Sequence, residues 1–476
     1  MPMNKVNYLL SIAALGMTAA CDSNEATKQD EIEQPNIVFI LADDMGWGDV
    51  GCFGQEVIET PNIDSLASQG IRFTRSYSGA TVSAPSRTNL MTGLHGGHAP
   101  IRGNFEIMPE GQMAMPQDTY TLFKMFKDAG YTTGAFGKWG LGSPGSEGAP
   151  ENQYVDEFFG YNCQRMSHTY YPEHLYHNGE KITLHGNLDG GFGCYAPDTI
   201  QERALAFIEK NKDKPFFLFI PSILPHAELA VPDDSLLYKY LGRFEETPYH
   251  GCDTGCHVFR IGGYASQDHP RATYAAMVSR FDAHVGQIIN KLKESGIYGN
   301  TLIIVSSDNG PHEEGGNDPI FFSSSGPFRG MKRDLYEGGI RVPTVAVWEG
   351  HIEANTTSAL RFAFWDYMPT FAEIIGIEAP PCDGISIMPT LLGECQKEHD
   401  YLYFEFQERN GRQCVIKDGW KLIKLNVATE PIYELYHIDT DSTERNNLID
   451  REKLRAEELM NIMQAARTAD ENWNFK

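Results

Sequence analysis

Three continuous apolar runs in this chain each lead to polar residues, and this repeated pattern is the strongest constraint on its fold. The runs and the polar residues after them are 36–42 with Asp43 and Asp44, 215–220 with His226, and 301–307 with Asp308 and Asn309. Apolar runs of this length are typical of strands that are buried on both faces, as in a parallel sheet. Open α/β sheets hold their chemistry at the carboxyl ends of such strands, so we expect these polar residues to share one site.

Helical patterns alternate with the apolar runs. Apolar residues recur at roughly helical spacing over residues 118–129, 198–211 and 271–295. Strands that alternate with helices in this way are typical of an α/β domain in which helices flank one large sheet. We place this domain at residues 35–394.

The character of the chain changes near residue 395. Short aromatic or alternating runs, separated by turns, occupy residues 401–406, 413–417 and 420–425. This pattern predicts antiparallel strands. A polar helical pattern follows from about residue 451, so we expect a small α+β subdomain with an antiparallel sheet over residues 395–476.

The N-terminal residues look like an export signal. Lys5 precedes a short apolar run over residues 8–15, and small residues then lead to Cys21. The run is too short to cross a bilayer and is typical of a signal-peptide core. We predict a signal peptide over residues 1–20, lipidation of Cys21 as in a bacterial lipoprotein, and a flexible polar tether over residues 21–34. The protein would then be periplasmic or associated with the outer membrane of a bacterium; secretion after cleavage nearby is the alternative.

The net charge constrains the partners. The chain carries a formal charge of −25 at pH 7. Nucleic-acid binding depends on Lys and Arg side chains that neutralise phosphate, so we expect no nucleic-acid partner. An anionic substrate would also be repelled at long range, and binding it would require a locally cationic pocket.

The polar residues after two of the predicted strands offer oxygen ligands only. Asp43, Asp44, Asp308 and Asn309 form this set. Sites built only from hard oxygen ligands suit Ca²⁺ or Mg²⁺ better than Zn²⁺. Each pair alone could be an ordinary turn, but both pairs end buried strands that lie far apart in the chain. A cation would hold these two strand ends together.

A second polar segment covers residues 83–93 and reads Ser-Ala-Pro-Ser-Arg-Thr-Asn-Leu-Met-Thr-Gly. Ser83 has no general base next to it in sequence, and an unmodified serine is a weak nucleophile. On its residues alone, the segment is equally compatible with a loop that leads through Ser86 into a capped helix.

The same segment resembles the formylglycine signature of the type I sulfatases, which reads Cys/Ser-x-Pro-Ser-Arg with a following Thr-Gly. Further blocks resemble the motifs of that family and fall in the same order: residues 41–49, 60–67, 137–139, 307–310, 328–343, 434–436 and 447–448. The resemblance extends over about residues 35–450. It implies the alkaline-phosphatase-like fold of this superfamily, with a large central mixed sheet flanked by helices.

The resemblance also implies roles for individual residues. Ser83 would be oxidised to formylglycine, whose hydrated aldehyde supplies the attacking hydroxyl, and Arg87 would hold that group near one Ca²⁺ bound by the four oxygen-ligand residues. Lys138 and Lys332 would bind sulfate oxygens, and His226 would protonate the departing alcohol. Serine in the first motif position is similar to the form handled by the radical maturases of anaerobic bacteria, so such a maturase is an expected partner.

The implied chemistry suits these residue types. Charge builds up on the sulfate oxygens during cleavage, and each preorganised donor is typically worth about 3–4 kcal/mol. A general acid speeds departure of a sugar alcohol by roughly 10²–10⁴. We therefore predict a sulfatase that hydrolyses sulfate monoesters of carbohydrates. We expect it to be exo-acting on sulfated galactose or N-acetylgalactosamine of host or algal glycans.

One position departs from the family pattern. The family often reads Lys-Trp-His-Leu-Gly, whereas this chain has Gly140 in place of the histidine. The side chain that usually assists expulsion of sulfate is therefore missing from its usual position. Candidates for that role or for contact with substrate are His95, His98, His168, His174 and Arg102.

Two other functions stay open at this stage. A phosphodiesterase or phosphonate hydrolase of the same superfamily would generally use two transition metals with several histidine ligands, which the oxygen-only set disfavours. A non-catalytic lipoprotein that binds sulfated glycans is suggested by Gly140.

Overall fold

A computed structural model describes residues 34–252 and 263–475 of the chain. The predicted signal peptide, Cys21 and the predicted tether up to residue 33 lie outside the described residues. Within the two described ranges, no helix is both long enough and apolar enough to cross a bilayer.

The described residues form eighteen strands. In chain order they are β1 (Asn36–Ala42), β2 (Ile71–Phe73), β3 (Ser76–Tyr77), β4 (Glu106–Ile107), β5 (Gly111–Gln112), β6 (Thr132–Lys138), β7 (Glu157–Tyr161), β8 (His174–His177), β9 (Glu180–Thr183), β10 (Phe216–Pro221), β11 (Thr301–Ser307), β12 (Thr344–Val347), β13 (Thr356–Ser358), β14 (Phe362–Ala363), β15 (Leu402–Phe406), β16 (Arg412–Lys417), β17 (Trp420–Leu425) and β18 (Ile432–His437).

Ten α-helices occur in the same described ranges. They are α1 (Pro61–Gln69), α2 (Ser83–Thr92), α3 (Leu122–Asp128), α4 (Ala196–Asn211), α5 (Ser235–Tyr238), α6 (Pro270–Glu294), α7 (Glu337–Ile340), α8 (Tyr367–Ile374), α9 (Met388–Leu391) and α10 (Lys453–Ala465).

Ten of the strands form one mixed sheet. Their order is β13-β2-β12-β11-β1-β10-β6-β7-β8-β9. The five central strands, from β11 to β7, are parallel. Antiparallel pairs extend the sheet on both sides, and a parallel pair of β2 and β13 ends it on one side. This arrangement confirms the predicted α/β class with a large central mixed sheet.

The centre of the sheet is β1, and all seven of its residues are buried. Its register with β11 sets Ala42 beside Ser307, so the residues after the two strands emerge side by side. On one face of the sheet, the Phe39 ring packs edge-on against Tyr367 at 4.9 Å between centroids. Burial of one such aromatic side chain contributes about 2–3 kcal/mol.

The helices begin and end close to the predicted positions, with one clear difference. The pattern over residues 118–129 predicted a longer helix, but α3 starts only at Leu122. Thr121 adopts an extended conformation, and its side chain accepts a hydrogen bond from Lys124 N. A threonine cap of this kind ends the N-terminal extension of a helix because it satisfies an otherwise unpaired amide.

The C-terminal segment contains a second sheet of four antiparallel strands, β15-β16-β17-β18. Helix α10 packs on it through Leu459 and Met463, against Val415 and Leu422. The sheet and helix confirm the predicted antiparallel α+β character of this segment. The domain boundary at residue 395 stays a prediction.

Candidate active site

The ends of β1 and β11 bring four oxygen-bearing side chains together. Asp44 N donates to Asp308 Oδ1 at 3.0 Å, and Asn309 Nδ2 donates to Asp44 Oδ1 at 2.6 Å. Asp44 has φ +61°, a left-handed conformation that aspartate tolerates better than most residues. Asp43, Asp44, Asp308 and Asn309, which were proposed as metal ligands from sequence, therefore lie in one cluster.

The chemistry of this cluster fits a cation. All four side chains are buried, and three of them are carboxylates. Asn309 Oδ1 is a buried oxygen with no hydrogen-bond donor among the described residues. Buried acceptors in proteins are nearly always paired, and a hard cation would supply the missing partner while reducing repulsion among the carboxylates.

Helix α2 presents Ser83 to this cluster from its first turn. Ser83 Oγ donates to Asp43 Oδ1 at 3.0 Å. Lys138, at the end of β6, donates from Nζ to Asp43 Oδ2 at 2.6 Å and to Ser83 Oγ at 3.2 Å. The positive end of the helix dipole therefore faces a point where negative charge can be stabilised.

All ten residues of α2 are buried, although most of them are polar. Several of the polar side chains are paired with the loop just before the helix, although Asn89 Oδ1 has no partner among the described residues. Asn89 Nδ2 donates to Gly79 O at 2.9 Å, and Gly79 N donates to Ser86 Oγ at 3.1 Å. A Cβ on Gly79 would come within 2.6 Å of Asn89 Cβ, so the loop before α2 approaches the helix as closely as only glycine allows. This packing places α2 in the interior.

Arg87 lies one helical turn after Ser83 and joins three elements. Its Nε and Nη2 donate to Asp308 Oδ2 at 3.1 and 2.9 Å, and its Nη1 donates to Lys138 O at 2.9 Å. The guanidinium is 1% exposed. Because positions four apart share a helix face, Ser83 and Arg87 reach the same cluster.

Lys332 uses all three of its protons within the site. Its Nζ lies 2.8 Å from Asp44 Oδ2, 3.0 Å from His226 Nε2 and 3.0 Å from Glu314 Oε2. Burial alone would lower the pKa of Lys332, but the carboxylates of Asp44 and Glu314 raise it above its usual range. Lys332 is therefore held as a cation.

His226 faces Lys332 through Nε2 and contacts the carbonyl of Ala227 through Nδ1. Burial and the charge of Lys332 lower the pKa of His226 to about 3. The imidazole is therefore neutral in this arrangement, with its proton on Nδ1. It stacks on His168, with ring centroids 5.0 Å apart and planes 10° apart.

Comparison with known proteins agrees with this geometry. A profile of the family described as Sulfatase matches residues 35–377. This chain belongs to the sulfatase family. A second profile, described as N-sulphoglucosamine sulphohydrolase, C-terminal, matches residues 329–469 of this sulfatase.

Several relatives align over most of their own length. Human arylsulfatase A is 31% identical over 400 residues, which cover 78% of this chain and 70% of the relative. The N-acetylgalactosamine-6-O-sulfatase of Bacteroides thetaiotaomicron is 25% identical over 559 residues and covers 98% and 100%. The crystal structure of Ps i-CgsB in complex with k-i-k-neocarrahexaose has a TM-score of 0.77 and 26% identity and covers 93% and 95%.

Family membership confirms the predicted recognition and the predicted enzyme class, a sulfuric ester hydrolase. Sulfatases of this family characteristically use formylglycine and a divalent metal, and the buried acidic and histidine groups of this sulfatase are able to hold such an ion. The roles assigned to individual residues stay predictions.

Of the predicted substrate-contacting residues, the structure places only His168 against His226. His98 Nδ1 pairs with Asp383 at 2.9 Å, and His174 Nε2 pairs with Glu110 at 2.9 Å. His95 stacks on His98 with centroids 4.3 Å apart, and burial lowers its pKa to about 4. These histidines belong to other polar clusters of this sulfatase.

Arg102, which is predicted to contact substrate, is held by backbone carbonyls. Its side chain is 2% exposed and donates to Ala99 O and Thr468 O, each at 2.9 Å. Burial lowers the pKa of Arg102 from its usual value. The residue holds its own loop to the C-terminal segment, and its contact with substrate stays a prediction.

Two residues near Lys332 are not among the site residues predicted from the sequence. Glu314 bridges Lys332 and Arg333, with Oε1 2.6 Å from Arg333 Nη2. His312 accepts from Glu314 N at Nδ1 and donates from Nε2 to Pro225 O, both at 3.1 Å. Both residues follow Asp308 closely in the chain, and this proximity is the one feature of the sequence that points to them.

Proposed function

We propose that this sulfatase removes sulfate from carbohydrate monoesters by means of a formylglycine made from Ser83. The observation that carries the proposal is the position of Lys138 Nζ, 3.2 Å from Ser83 Oγ and 2.6 Å from Asp43 Oδ2. One ammonium group thereby joins the nucleophile position to the metal-binding cluster, in an interior from which water is largely excluded.

We infer that the ion is a single Ca²⁺ held by Asp43, Asp44, Asp308 and Asn309. The donor set contains only oxygens, and Asn309 Oδ1 lacks another partner among the described residues. When bound, Ca²⁺ would offset the carboxylate charges and polarise a sulfate oxygen.

The chain's own cations would bind the sulfate group. Lys138 at the end of β6 pairs with Asp43, and Lys332 in the loop after β11 pairs with Asp44. Arg87 on α2 pairs with Asp308. They are fixed in place before substrate arrives, and donors of this kind are typically worth about 3–4 kcal/mol each in transition-state stabilisation. The three cations also explain how a chain with a formal charge of −25 would bind an anion.

The departing alcohol requires a proton, and the pair of Lys332 and His226 would supply it. The two side chains share a hydrogen bond of 3.0 Å. A proton on the shared bond is available to an alcohol oxygen that enters between them. General acid catalysis of this kind contributes roughly 10²–10⁴ in rate.

We propose sulfated galactose or N-acetylgalactosamine as the substrate, cleaved in an exo fashion. Support comes from the Bacteroides relative named N-acetylgalactosamine-6-O-sulfatase, which aligns over nearly the whole chain. The acidic composition of the chain suits release of one terminal sulfate better than movement along a polyanion.

The cellular context is also a proposal. The serine-type motif around Ser83 supports maturation by a radical maturase. The apolar run before Cys21 supports export and anchoring as a bacterial lipoprotein in the periplasm or at the outer membrane.

A phosphonate hydrolase or phosphodiesterase would generally use a second metal with histidine ligands. His312 is the histidine closest in sequence to the cluster, and both of its ring nitrogens already bond to backbone groups. Lys138 and Lys332 occupy the space beside the carboxylates. Metal analysis that found two zinc or manganese ions per chain would overturn the proposal of one Ca²⁺.

The function is tested by maturing the protein with a serine-type maturase and screening monosaccharides sulfated at different hydroxyls. Mass spectrometry of the Ser83 peptide in the same sample should show the loss of two hydrogens. Hydrolysis of a sulfated galactose or N-acetylgalactosamine is expected. A fully converted peptide without turnover on any sulfated sugar would reject the proposal, and a peptide that contains only serine would favour a glycan-binding protein.

A further inference from the structure

Gly140 follows Lys138 by two residues, and the side-chain amide of Gln164 fills the space next to it. Gly140 has φ +72°, a left-handed conformation that glycine adopts readily. A Cβ built on Gly140 would lie 2.2 Å from Gln164 Nε2. The Gln164 amide therefore occupies the space into which a side chain at position 140 would extend.

Gln164 belongs to a group of buried amides that lack partners. Gln112, Asn162 and Gln164 are 1%, 2% and 4% exposed. Across residues 34–252 and 263–475, no hydrogen bond reaches Gln112 Nε2, Gln164 Nε2 or either polar side-chain atom of Asn162. Buried polar groups are nearly always paired, so these donors indicate a missing partner with lone pairs.

Asn162 differs from the two glutamines in its surroundings. It lines a cavity of about 10 Å³, together with Glu110 and Tyr176. That volume is room for about one water molecule, which would satisfy its amide. Neither Gln112 nor Gln164 lines this cavity, so a water molecule in it would not pair with the Nε2 atom of either glutamine.

Backbone contacts hold the two glutamines next to the nucleophile region. Gln164 N donates to Gln112 Oε1 at 3.1 Å, and Gly140 N donates to Asn162 O at 2.9 Å. Gly140 continues the chain from the end of β6, where Lys138 places its Nζ 3.2 Å from Ser83 Oγ. The amide donors therefore border the strand end that carries Lys138 to the nucleophile.

We propose that Gln164, supported by Gln112, donates hydrogen bonds to an oxygen of the bound substrate and is a further substrate-binding residue. This inference rests on the proposed function. An amide NH₂ donates to oxygen without adding charge, so its partner is a sulfate oxygen or a sugar hydroxyl. In this sulfatase, a glutamine from the segment after β7 thereby takes up the space that Gly140 leaves open.

The test compares Gln164→Met with Gln153→Met in the matured enzyme. Methionine keeps the length of the side chain and removes the amide. Gln153 is the matched control, because it is 1% exposed but already donates from Nε2 to Glu147 O at 3.0 Å. We expect Gln164→Met to lower kcat/KM on a sulfated sugar by about tenfold or more, and Gln153→Met to stay within about twofold of wild type.

Two further measurements identify the substrate oxygen that accepts a hydrogen bond from Gln164. If it belongs to sulfate, Gln164→Met also weakens inhibition by inorganic sulfate and lowers turnover of an aryl sulfate. If it belongs to a sugar hydroxyl, both of these stay unchanged while KM for the sulfated sugar rises. Values within about twofold of wild type in all three measurements would overturn the inference, and the amide would then bind a buried water only.

A binding measurement separates this inference from the proposed function. In the Ser83→Ala background, inorganic sulfate and N-acetylgalactosamine 6-sulfate are added and the rise in Tm is recorded with and without Gln164→Met. A smaller rise with Gln164→Met for at least one of these ligands supports the inference, and equal rises for both contradict it. Failure of the proposed function would look different, since the matured wild type would then hydrolyse no sulfate ester.

Discussion

Lys332 Nζ lies 3.0 Å from Glu314 Oε2, so one of the two candidate sulfate-binding lysines is already paired with a carboxylate outside the metal-binding cluster. Glu314 also contacts Arg333 and is 18% exposed at its side chain. It therefore stands at the edge of the buried site, where its charge would compete with a bound sulfate for Lys332.

Removal of that charge should strengthen sulfate binding. We expect Glu314→Gln to lower the inhibition constant of inorganic sulfate by roughly threefold to tenfold, because a glutamine competes less well for an ammonium group. Glu313→Gln is the matched control, since it makes the same charge change at an exposed neighbour. Equal inhibition constants for Glu314→Gln and wild type would show that Glu314 does not face the bound anion.

If Ser83 is the precursor of the nucleophile, its removal should abolish activity without affecting the stability of the fold. Ser83→Ala should abolish turnover and leave the Tm within a few degrees of wild type, because the hydroxyl donates only to Asp43 and the helix around it is held by other residues. Turnover with a model aryl sulfate and circular dichroism measure the two effects. Residual turnover at the wild-type rate would refute Ser83 as the nucleophile.

Removal of the metal should destabilise the fold as well as stop catalysis. Each of the three buried carboxylates already pairs with Arg87, Lys138 or Lys332, but Asn309 Oδ1 has no partner among the described residues and would lose its ligand bond when the ion leaves. At a Ca²⁺ concentration about 100 times the Kd, linkage gives about 3 kcal/mol of added stability. Chelation should therefore lower the Tm, and Ca²⁺ should restore it.

The matched variant for the metal prediction is Asn309→Leu, which removes the unpartnered Oδ1 atom. Its Tm should respond much less to Ca²⁺ than that of wild type. A wild-type Tm that chelation leaves unchanged would contradict the proposed site.

A buried group of charges near the C-terminal sheet predicts a pH effect on stability. Lys421 Nζ lies 2.9 Å from Glu337 and 2.8 Å from Glu444, and all three side chains are buried. Burial and the charge of Glu337 raise the pKa of Glu444 to about 7, although Lys421 opposes this. The folded state thus binds a proton that the unfolded state has already released above about pH 4.5.

The free energy of unfolding should therefore fall as the pH rises from about 4.5 to about 7, by up to about 3 kcal/mol from this group. Urea unfolding of wild type and Glu444→Gln at about pH 5 and about pH 8 measures it. Glu444→Gln should lack the part of the decrease in unfolding free energy that Glu444 causes. Glu430→Gln, at an exposed position, should show the same decrease as wild type. A wild-type decrease no larger than that of Glu444→Gln would reject the predicted pKa.

Much of the fold and of the site was predictable because the informative patterns are local. The apolar runs that form β1, β10 and β11 have a composition typical of strands buried on both faces, and the polar residues after each run mark its end. The order of parallel strands then brings Asp43, Asp44, Asp308 and Asn309 together. The motif around Ser83 required the resemblance, since a serine and an arginine four residues apart have no unique chemistry on their own.

Other parts of the site depend on distances between segments that no local pattern encodes. Arg102 carries a cation close after the nucleophile helix in sequence, yet the fold directs it to the carbonyl of Thr468. Glu314 has nothing in its sequence surroundings that ties it to Lys332. For the role left open by Gly140 the sequence offers several histidines as candidates, whereas the space beside Gly140 holds a glutamine amide.

The sequence by itself determined the central strands β1, β10 and β11, three strands of the C-terminal sheet and the oxygen-rich strand ends, because these follow from residue type and spacing along one stretch of chain. The family and the enzyme class followed from the resemblance of its motifs. Only the tertiary structure decided which of the remaining charged and polar side chains reach Ser83 and the acidic cluster and which pair elsewhere. The physical reason is that hydrogen bonds and ion pairs act over about 3 Å in space, and the side chains that meet at this distance come from segments that lie far apart along the chain.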